Sequence, residues 1–489
     1  MRNCAILIEI VFRLQIEGGL QMDGQDFRRY GHEFIDWVAD YFEQVEEFPV
    51  RSTVKPGEIK AGLPEKPPAH AEDMEIIFKD FKDIILPGIT HWQHPGWFAY
   101  FPANNSPASV LGELITAGLG AQCMIWQTSP AAAELEEVVM EWLRQMLALP
   151  KGMTGVIQDS ASTATLCALL TAREKATGFA SNRGGVRQPL IVYTSEEGHS
   201  SIDKAVKIAG YGIENMRSIP TDENFAMIPE ELEKMIISDL DKGLQPACVV
   251  ATLGTTSSTA VDPLEAIGNI CQRYDIWFHV DAAFGGTAAL LDDKRSMLKG
   301  AEMIDSFVFN PHKWMLTNFD CSAYFVKDEG LLIRTFEIHP EYLKTGHDAV
   351  VRNYRDWGVQ LGRRFRALKL WFVIRTYGVE GLQAVVREHL RLADLFKGWV
   401  EKDSRFELMA PVNFSLVCFR LKKEGATEEE IASLNADLLE KVNASGRVYL
   451  THTSLKGRYA IRMAIGQRST AEKHVREAWE LITGNVSSE

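Results

Sequence analysis

The segment SFVFNPHK at 306–313 decides the fold, because a short apolar run ends there in a cluster of polar residues. Three further runs have the same character and are separated by helical stretches such as 229–240 and 264–274: LIVYTS at 190–195, ACVVATLG at 247–254 and IWFHVDAA at 276–283. Short β-branched strands that alternate with helices are typical of a mostly parallel sheet covered by helices. We therefore predict an α/β fold in which ligands bind at the carboxyl ends of the strands.

The flanking regions predict further structural units, as expected of a chain of 489 residues. Residues 22–106 are predicted to form a helical segment that packs on a second subunit, with Asp23 as a cap and 54–72 as an extended connector. Apolar residues recur there at helical spacing: Phe27, Tyr30, Phe34, Trp37, Val38 and Tyr41. We assign 107–368 to a large α/β domain, 369–489 to a smaller α+β domain, and 1–21 to an unstructured extension.

Composition excludes several classes of protein. The formal net charge of -14 and the pI near 5.5 argue against nucleic acid or an anionic membrane as a partner, since both require a basic surface. No apolar stretch approaches the ~20 residues needed to cross a bilayer. The seven cysteines form no CxxC pair, which favours a reducing, cytoplasmic location over a disulfide framework. No metal-binding spacing of histidines or cysteines is present, so we assign no metal.

Lys313 and Asp281 are the central candidates for chemistry, since each follows an apolar strand. A partly buried lysine loses protons more readily and becomes a nucleophile that can form a Schiff base with pyridoxal phosphate (PLP). PLP also requires a carboxylate beside its pyridine nitrogen, and Asp281 suits that role. Alone, the lysine would be read as a solvated surface group and the aspartate as a helix cap or turn residue.

Other strand ends supply the remaining groups that PLP requires. The helix that opens at 159–165 offers free amides and hydroxyls to a phosphate, although serine-rich helix starts are commonly simple caps. Thr255 and Thr256 add hydroxyls at another strand end. His199 could stack on the cofactor ring opposite Ala283 and take part in proton transfer, or have only a structural role.

The chain resembles the group II PLP-dependent decarboxylases, and specifically the aromatic L-amino acid decarboxylases that act on DOPA, tryptophan, tyrosine or phenylalanine. The likeness runs from about Met22 to the last helix and is carried by these segments, in the family's order: HWQHPGWFAYFPANNS, WQTSPAAAELE, VIQDSASTATL, EGHSSIDKA, ATLGTT, HVDAAFGG, FNPHKW and LGRRFRALKLWF. It implies a type I PLP fold with a mixed, mostly parallel sheet. It also implies a homodimer with swapped N-terminal helices and shared active sites.

The resemblance assigns roles residue by residue. It implies that Lys313 is the Schiff-base lysine, Asp281 the partner of the pyridine nitrogen and His199 the stacking histidine. The other residues expected at the cofactor are Ala161, Ser162 and Asn310 near the phosphate, and Thr256, Ala283 and His312. Tyr342 matches a mobile-loop tyrosine that protonates the substrate Cα after carbon dioxide leaves, whereas members with Phe at this position tend to be aldehyde synthases.

The resemblance also indicates a substrate pocket, partly contributed by the neighbouring subunit. Its expected residues are Trp92, Ala103, Gln122, Met124 and Gly362. In plant relatives a glycine at the last position goes with indoles and a serine with phenols, so the pocket favours tryptophan. Trp92 and Met124 could equally be generic core residues. The alternatives to decarboxylation of an aromatic amino acid are an aromatic aldehyde synthase, a decarboxylase of another amino acid, or a non-catalytic PLP-binding protein.

Overall fold

The N-terminal segment is helical in the computed structural model, which describes residues 22–338 and 350–486. Its helices are α1 (Gly24–Gln44), α2 (Glu58–Gly62) and α3 (Met74–Asp80). The Asp23 carboxylate caps α1 by accepting hydrogen bonds from the amides of Gln25 and Asp26, as predicted. The extended connector predicted for 54–72 is interrupted by α2, so that expectation was wrong for its middle. The extension at 1–21 lies outside the described residues.

The predicted buried face of α1 is only partly covered within one chain. Tyr30 is buried and Phe27 is exposed. Phe34 packs on Phe78 with ring centroids 4.5 Å apart, and Trp37 packs on Phe81 at 5.3 Å. The face therefore packs mainly on α3 and the turn after it.

The central sheet has seven strands in the order β1-β7-β6-β5-β4-β2-β3. The strands are β1 (Thr154–Gln158), β2 (Leu190–Ser195), β3 (Met216–Ile219), β4 (Gln245–Thr252), β5 (Trp277–Asp281), β6 (Ser306–Phe309) and β7 (Ser322–Val326). Strand β7 runs antiparallel to its neighbours β1 and β6, and the other pairs are parallel. The predicted α/β class with a mixed, mostly parallel sheet is confirmed, and each of the four predicted strands is present.

Helices cover both faces of this sheet. They are α4 (Pro107–Leu119), α5 (Pro130–Met146), α6 (Ala161–Thr177), α7 (Ala180–Gly184), α8 (Ser201–Ile208), α9 (Pro229–Asp241), α10 (Leu264–Arg273), α11 (Pro311–Trp314) and α12 (Glu329–Phe336). Alternate residues of β2 enter different cores: Ile191 packs in the core that includes α9 and α10, and Val192 in the core of α6 and α8. Burial on both faces explains why β2 begins with the continuous apolar run Leu190 to Tyr193.

The C-terminal part forms a second layered unit. It contains α13 (Arg366–Lys402), β8 (Phe406–Leu408), β9 (Leu416–Leu421), α14 (Glu428–Ala444), β10 (Thr451–Leu455), β11 (Arg458–Ala464) and α15 (Glu472–Gly484), with an antiparallel sheet in the order β10-β11-β9-β8. Helix α13 is broken at Gly378, where φ is 63°. Its Leu370 joins the large core and its Phe396 the core of the second sheet. The predicted boundary between 368 and 369 stays a prediction.

None of the helices in the described parts of the chain combines the length and the apolar composition that a bilayer crossing requires. The six described cysteines are buried and unbridged: Cys123, Cys167, Cys248, Cys271, Cys321 and Cys418.

Candidate active site

Lys313 lies in the short helix α11, directly after β6. Its amide donates to the Asn310 carbonyl at 2.9 Å, and its carbonyl accepts a hydrogen bond from Asn104 Nδ2 at 2.9 Å. The Lys313 Nζ lies 5.2 Å from the centre of the Phe101 ring and has no hydrogen bond to any described residue. Burial lowers the pKa of this amine, and the nearby Asp281 carboxylate partly opposes that shift. The backbone of Lys313 is therefore fixed while its amine remains available.

Asp281 is the last residue of β5 and is 4% exposed. One carboxylate oxygen, Oδ1, accepts a hydrogen bond from the Ala283 amide at 3.0 Å. No described lysine, arginine or histidine forms an ion pair with Asp281. Because a buried carboxylate is costly without a cationic partner, the site suits a ligand that carries a positive charge, such as a protonated pyridine.

His199 follows β2 and precedes α8. Its Nδ1 accepts a hydrogen bond from the Ser201 amide at 3.1 Å and lies 2.8 Å from the Ser201 hydroxyl. With Nδ1 accepting, the proton of the neutral ring is assigned to Nε2. Burial lowers the pKa of His199 below its usual value, while the charge of Asp281 raises it by a smaller amount. A neutral, oriented ring is suited to stacking and to donating from Nε2.

A cavity of about 470 Å³ opens above the Lys313 amine. Six of its lining residues were predicted from the sequence: Trp92, Ala103, His199, Thr256, His312 and Lys313. Five others were not predicted: Tyr100, Phe101, Pro102, Phe319 and Arg462. The wall is largely aromatic, and the rings of Trp92 and Tyr100 stack with centroids 5.9 Å apart. We call Lys313, Asp281, His199 and this lining the strand-end cluster.

His312 lines the cavity with a ring that the backbone holds in place. Its Nδ1 accepts a hydrogen bond from the Cys321 amide at 2.9 Å, and burial lowers its pKa to about 3. The ring is therefore neutral and serves as an acceptor for the backbone.

The residues that are predicted to bind the phosphate lie at the start of α6 and directly after β6. Ser160 caps α6 by accepting from the Thr163 amide at 3.2 Å; Ala161 is buried and Ser162 is exposed in the first turn. Asn310, which follows β6, is 3% exposed and accepts a hydrogen bond at its Oδ1 from the Ser322 hydroxyl at 2.6 Å. Ala283 accepts from the Asn310 amide at 3.1 Å. A capped helix start beside a fixed amide fits a phosphate group.

Three predicted pocket residues, which we call the loop group, lie together but do not line the cavity at Lys313: Gln122, Met124 and Gly362. Gln122 Oε1 accepts from the Arg363 amide at 2.8 Å, and the Met124 carbonyl accepts from the Arg355 amide at 2.8 Å. A Cβ added at Gly362 would lie 3.3 Å from Gln122 Nε2. Gln122 and Gly362 are exposed. Tyr342 lies outside the described residues.

Arg462 is the functional candidate that sequence reasoning missed. It is 4% exposed, lines the cavity and donates to the Thr256 carbonyl at 2.7 Å, the Tyr100 carbonyl at 3.3 Å and the Thr451 hydroxyl at 3.1 Å. No described acidic residue forms an ion pair with it, and its Nε is buried without a partner among the described residues. One signal was available: Arg462 lies between Ile461 and Met463, in the apolar part of the segment RYAIRMAIG.

The fold and the strand-end cluster define the class of enzymes that bind an aldehyde cofactor through a lysine. Residues 56–422 match the pyridoxal-dependent decarboxylase conserved domain. The chain is 45% identical to a phenylacetaldehyde synthase of Arabidopsis thaliana, covering 95% of this chain and 97% of the relative. It is also 45% identical to tyrosine decarboxylase 2 of Narcissus pseudonarcissus, covering 94% of each.

Among solved structures, the chain is similar to Oryza sativa TDC crystallised with PLP and tryptamine. The TM-score is 0.93 at 39% identity, with 96% of this chain and 99% of that chain covered. The protein belongs to the pyridoxal-dependent decarboxylase family, so it is a carboxy-lyase whose cofactor is PLP. The predicted family, fold and cofactor are confirmed, and the roles of individual residues remain predictions.

Proposed function

We propose that this enzyme decarboxylates an aromatic L-amino acid, namely tryptophan, DOPA, tyrosine or phenylalanine, to the corresponding amine and carbon dioxide. The observation that carries the proposal is one aromatic-walled cavity with an available lysine amine and an arginine that has no acidic partner among the described residues. Relatives named tyrosine decarboxylase and tryptophan decarboxylase support the same substrate class.

The residues at the strand ends fit PLP. The Lys313 amine would hold its aldehyde carbon, Asp281 would keep a proton on the pyridine nitrogen, and Asn310 with the start of α6 would hold the phosphate. His199, Thr256 and Ala283 would contact the cofactor from the flanking loops. When bound, PLP supplies an electron sink that weakens the bond between the substrate's Cα and its carboxylate.

The cavity wall would orient the substrate. Trp92, Tyr100 and Phe101 line the cavity and supply an apolar, aromatic wall against which an aromatic side chain can pack. Arg462 presents a buried positive charge at the cavity wall, which attracts a carboxylate, and its Nη2 is held in place by the Thr256 and Tyr100 carbonyls. We propose that these groups fix the two ends of the amino acid and exclude water from the carboxylate.

Protons would be moved by three side chains. Burial lowers the pKa of Lys313, which favours the neutral amine that a nucleophile and a proton acceptor both require. Nε2 of His199 forms no hydrogen bond with a described residue, so its N–H can be donated to a bound ligand. Tyr342 is proposed, from the family resemblance alone, to protonate Cα after carbon dioxide leaves.

An aromatic aldehyde synthase is the second candidate function. Phenylacetaldehyde synthase is among the similar relatives, and the structure of a Rhodiola rosea 4-hydroxyphenylacetaldehyde synthase matches with a TM-score of 0.88. Tyr342, where synthases of this family tend to have Phe, favours decarboxylation.

A homodimer with shared sites is also proposed. One face of α4 exposes four apolar residues, and an exposed apolar patch of this kind is typical of a protein–protein interface. The residues are Leu111, Leu114, Ile115 and Leu119. The separation of the loop group from the Lys313 cavity is consistent with its serving the partner's site. Six buried, unbridged thiols accord with the proposed cytoplasmic location.

One experiment tests the proposed reaction. The protein is incubated with PLP and each of the twenty amino acids. Carbon dioxide release is measured, amines and aldehydes are quantified by mass spectrometry, and hydrogen peroxide is quantified by a peroxidase assay. We expect an aromatic amine in equal amount to carbon dioxide. Aldehyde with peroxide would establish the synthase instead, and activity only on acidic or imidazole substrates would refute the aromatic class.

A further inference from the structure

The hydrogen bond between Ser322 and Asn310 has a direction that bears on the cofactor. The Ser322 hydroxyl donates to Asn310 Oδ1 at 2.6 Å. Both residues are buried, with exposures of 0% and 3%. Because a side-chain amide has its acceptor and its donor on opposite arms, a hydroxyl that binds the oxygen turns the NH₂ group the other way.

The Asn310 NH₂ group has no acceptor among the described residues. The other two bonds of Asn310 use its backbone: its amide donates to the Ala283 carbonyl, and its carbonyl accepts from the Lys313 amide. The NH₂ group is also not among the fully enclosed unpaired atoms, although the residue is only 3% exposed, so it keeps an opening toward a ligand. The side chain is therefore arranged to give two hydrogen bonds to a ligand.

Strand pairing also places Ser322 near the start of α6, the other part of the chain that is predicted to bind the phosphate. Ser322 opens β7 opposite Gln158, the last residue of β1. Two residues later Ser160 caps α6, a helix of 17 residues whose first amides have no partner within the helix. Ser322 thus lies between the Asn310 amide and a helix start that favours anions.

We propose that Ser322 is a positioning residue for the cofactor phosphate. Its hydroxyl holds Asn310 with the NH₂ group directed at the phosphate next to the start of α6. Without that hydroxyl the amide is free to rotate and present its oxygen, which repels a phosphate. This inference rests on the proposed role of Asn310 and of the α6 start in holding PLP.

A purely structural role of the hydrogen bond makes a different prediction. It would affect every form of the cofactor equally, whereas a role at the phosphate affects only the phosphorylated form. Pyridoxal, which has the same ring and aldehyde but no phosphate, separates the two.

The test titrates cofactor-free full-length protein with PLP and with pyridoxal, following the absorbance of the lysine-bound cofactor. For Ser322→Ala we expect the Kd for PLP to rise about tenfold, as for loss of one hydrogen bond to a charged group. The Kd for pyridoxal should stay within about twofold. Ser322→Thr, which keeps the hydroxyl, should restore PLP binding. Ser415→Ala is the matched control, because Ser415 is also fully buried but lies in the second unit.

Equal weakening of PLP and pyridoxal binding in Ser322→Ala, or no weakening of either, would overturn the proposal. If Ser322→Ala does not fold, Asn310→Asp is the second variant, since it keeps the acceptor for Ser322 and replaces only the NH₂ group. It should lose PLP binding selectively, and tight PLP binding by this variant would overturn the proposal. Failure of the unmodified protein to bind PLP would overturn the assigned cofactor as well.

Discussion

The strand-end cluster and the loop group are assigned to one active site by sequence, yet they lie in different settings. In the first, Lys313, Asp281 and His199 lie at or just after the ends of β6, β5 and β2, and the backbone holds the carboxylate and the imidazole by hydrogen bonds. The second lies on exposed loops held by Gln122 and Arg363. In the proposed homodimer, the strand-end cluster would supply the chemical groups of one site, and the loop group would contribute to the substrate's surroundings in the partner's site.

The largest effect is expected from Lys313→Ala. Removing the amine that anchors the cofactor should lower kcat by at least ~10³-fold. Carbon dioxide release is measured, together with mass spectrometry of the borohydride-reduced protein for cofactor on Lys313. Lys207→Ala, at an exposed position on α8, is the control and should retain full activity. Cofactor trapped on a different lysine would contradict the assignment.

The next test asks directly whether the two regions serve each other's sites. Gly362→Trp should inactivate by filling the pocket, and Lys313→Ala by losing the anchor. When the two variants are co-expressed in equal amounts, about half of the dimers contain one chain of each variant. If each site takes Lys313 from one chain and position 362 from the other, one of the two sites in such a hybrid has both natural residues. About a quarter of the normal activity should then return. Purified hybrids that carry two different tags provide the measurement. Inactive hybrids would show that the two residues serve the same chain.

Arg462 tests how the strand-end cluster holds the substrate. Arg462→Lys keeps a positive charge but loses the planar guanidinium that fixes where this charge lies, so KM should rise about 10- to 100-fold. The product amine, which has no carboxylate, provides the internal control: its inhibition constant should change little. If KM and the inhibition constant rise together, Arg462 acts by supporting the Thr256 and Tyr100 loops rather than by binding a carboxylate.

Gly362→Ser tests the loop group with a smaller change. The added Cβ would lie 3.3 Å from Gln122 Nε2, so the loop must shift slightly. We expect the ratio of kcat/KM for tryptophan over tyrosine to fall about tenfold. Gln122→Ala in the same background relieves the contact and should recover part of the lost tryptophan activity. An unchanged ratio would remove position 362 from the specificity pocket.

The difference between the two regions also explains what sequence could predict. Lys313, Asp281 and His199 follow buried strands of a parallel sheet, whose carboxyl ends must converge, so periodicity and residue chemistry were sufficient to group them. Arg462 was missed because its strand belongs to the second sheet, and only tertiary packing brings it to Thr256. Gln122 and Gly362 lie on loops, whose paths the local sequence does not determine. The helix α2 was missed because five residues among prolines and glycines show no periodicity.

The smallest expected effect concerns the support beneath the strand-end cluster. Trp314, next to Lys313, donates its indole N–H to His389 Nδ1 at 2.8 Å, and His389 Nε2 donates to the Gln467 carbonyl at 3.1 Å. Burial lowers the pKa of His389 to about 4, so the folded protein holds it neutral. Its contribution to stability is therefore full above the ordinary pKa of about 6.5 and is lost as the pH falls toward 4.

When the pH falls from 7.5 to 5.5, the protonation of His389 in the unfolded chain should lower the free energy of unfolding by about 1 kcal/mol. Urea unfolding of the protein and of His389→Gln at both pH values measures that difference. The glutamine variant should lose less stability on acidification. An equal loss in both proteins would show that His389 is not the neutral support of the Lys313 helix.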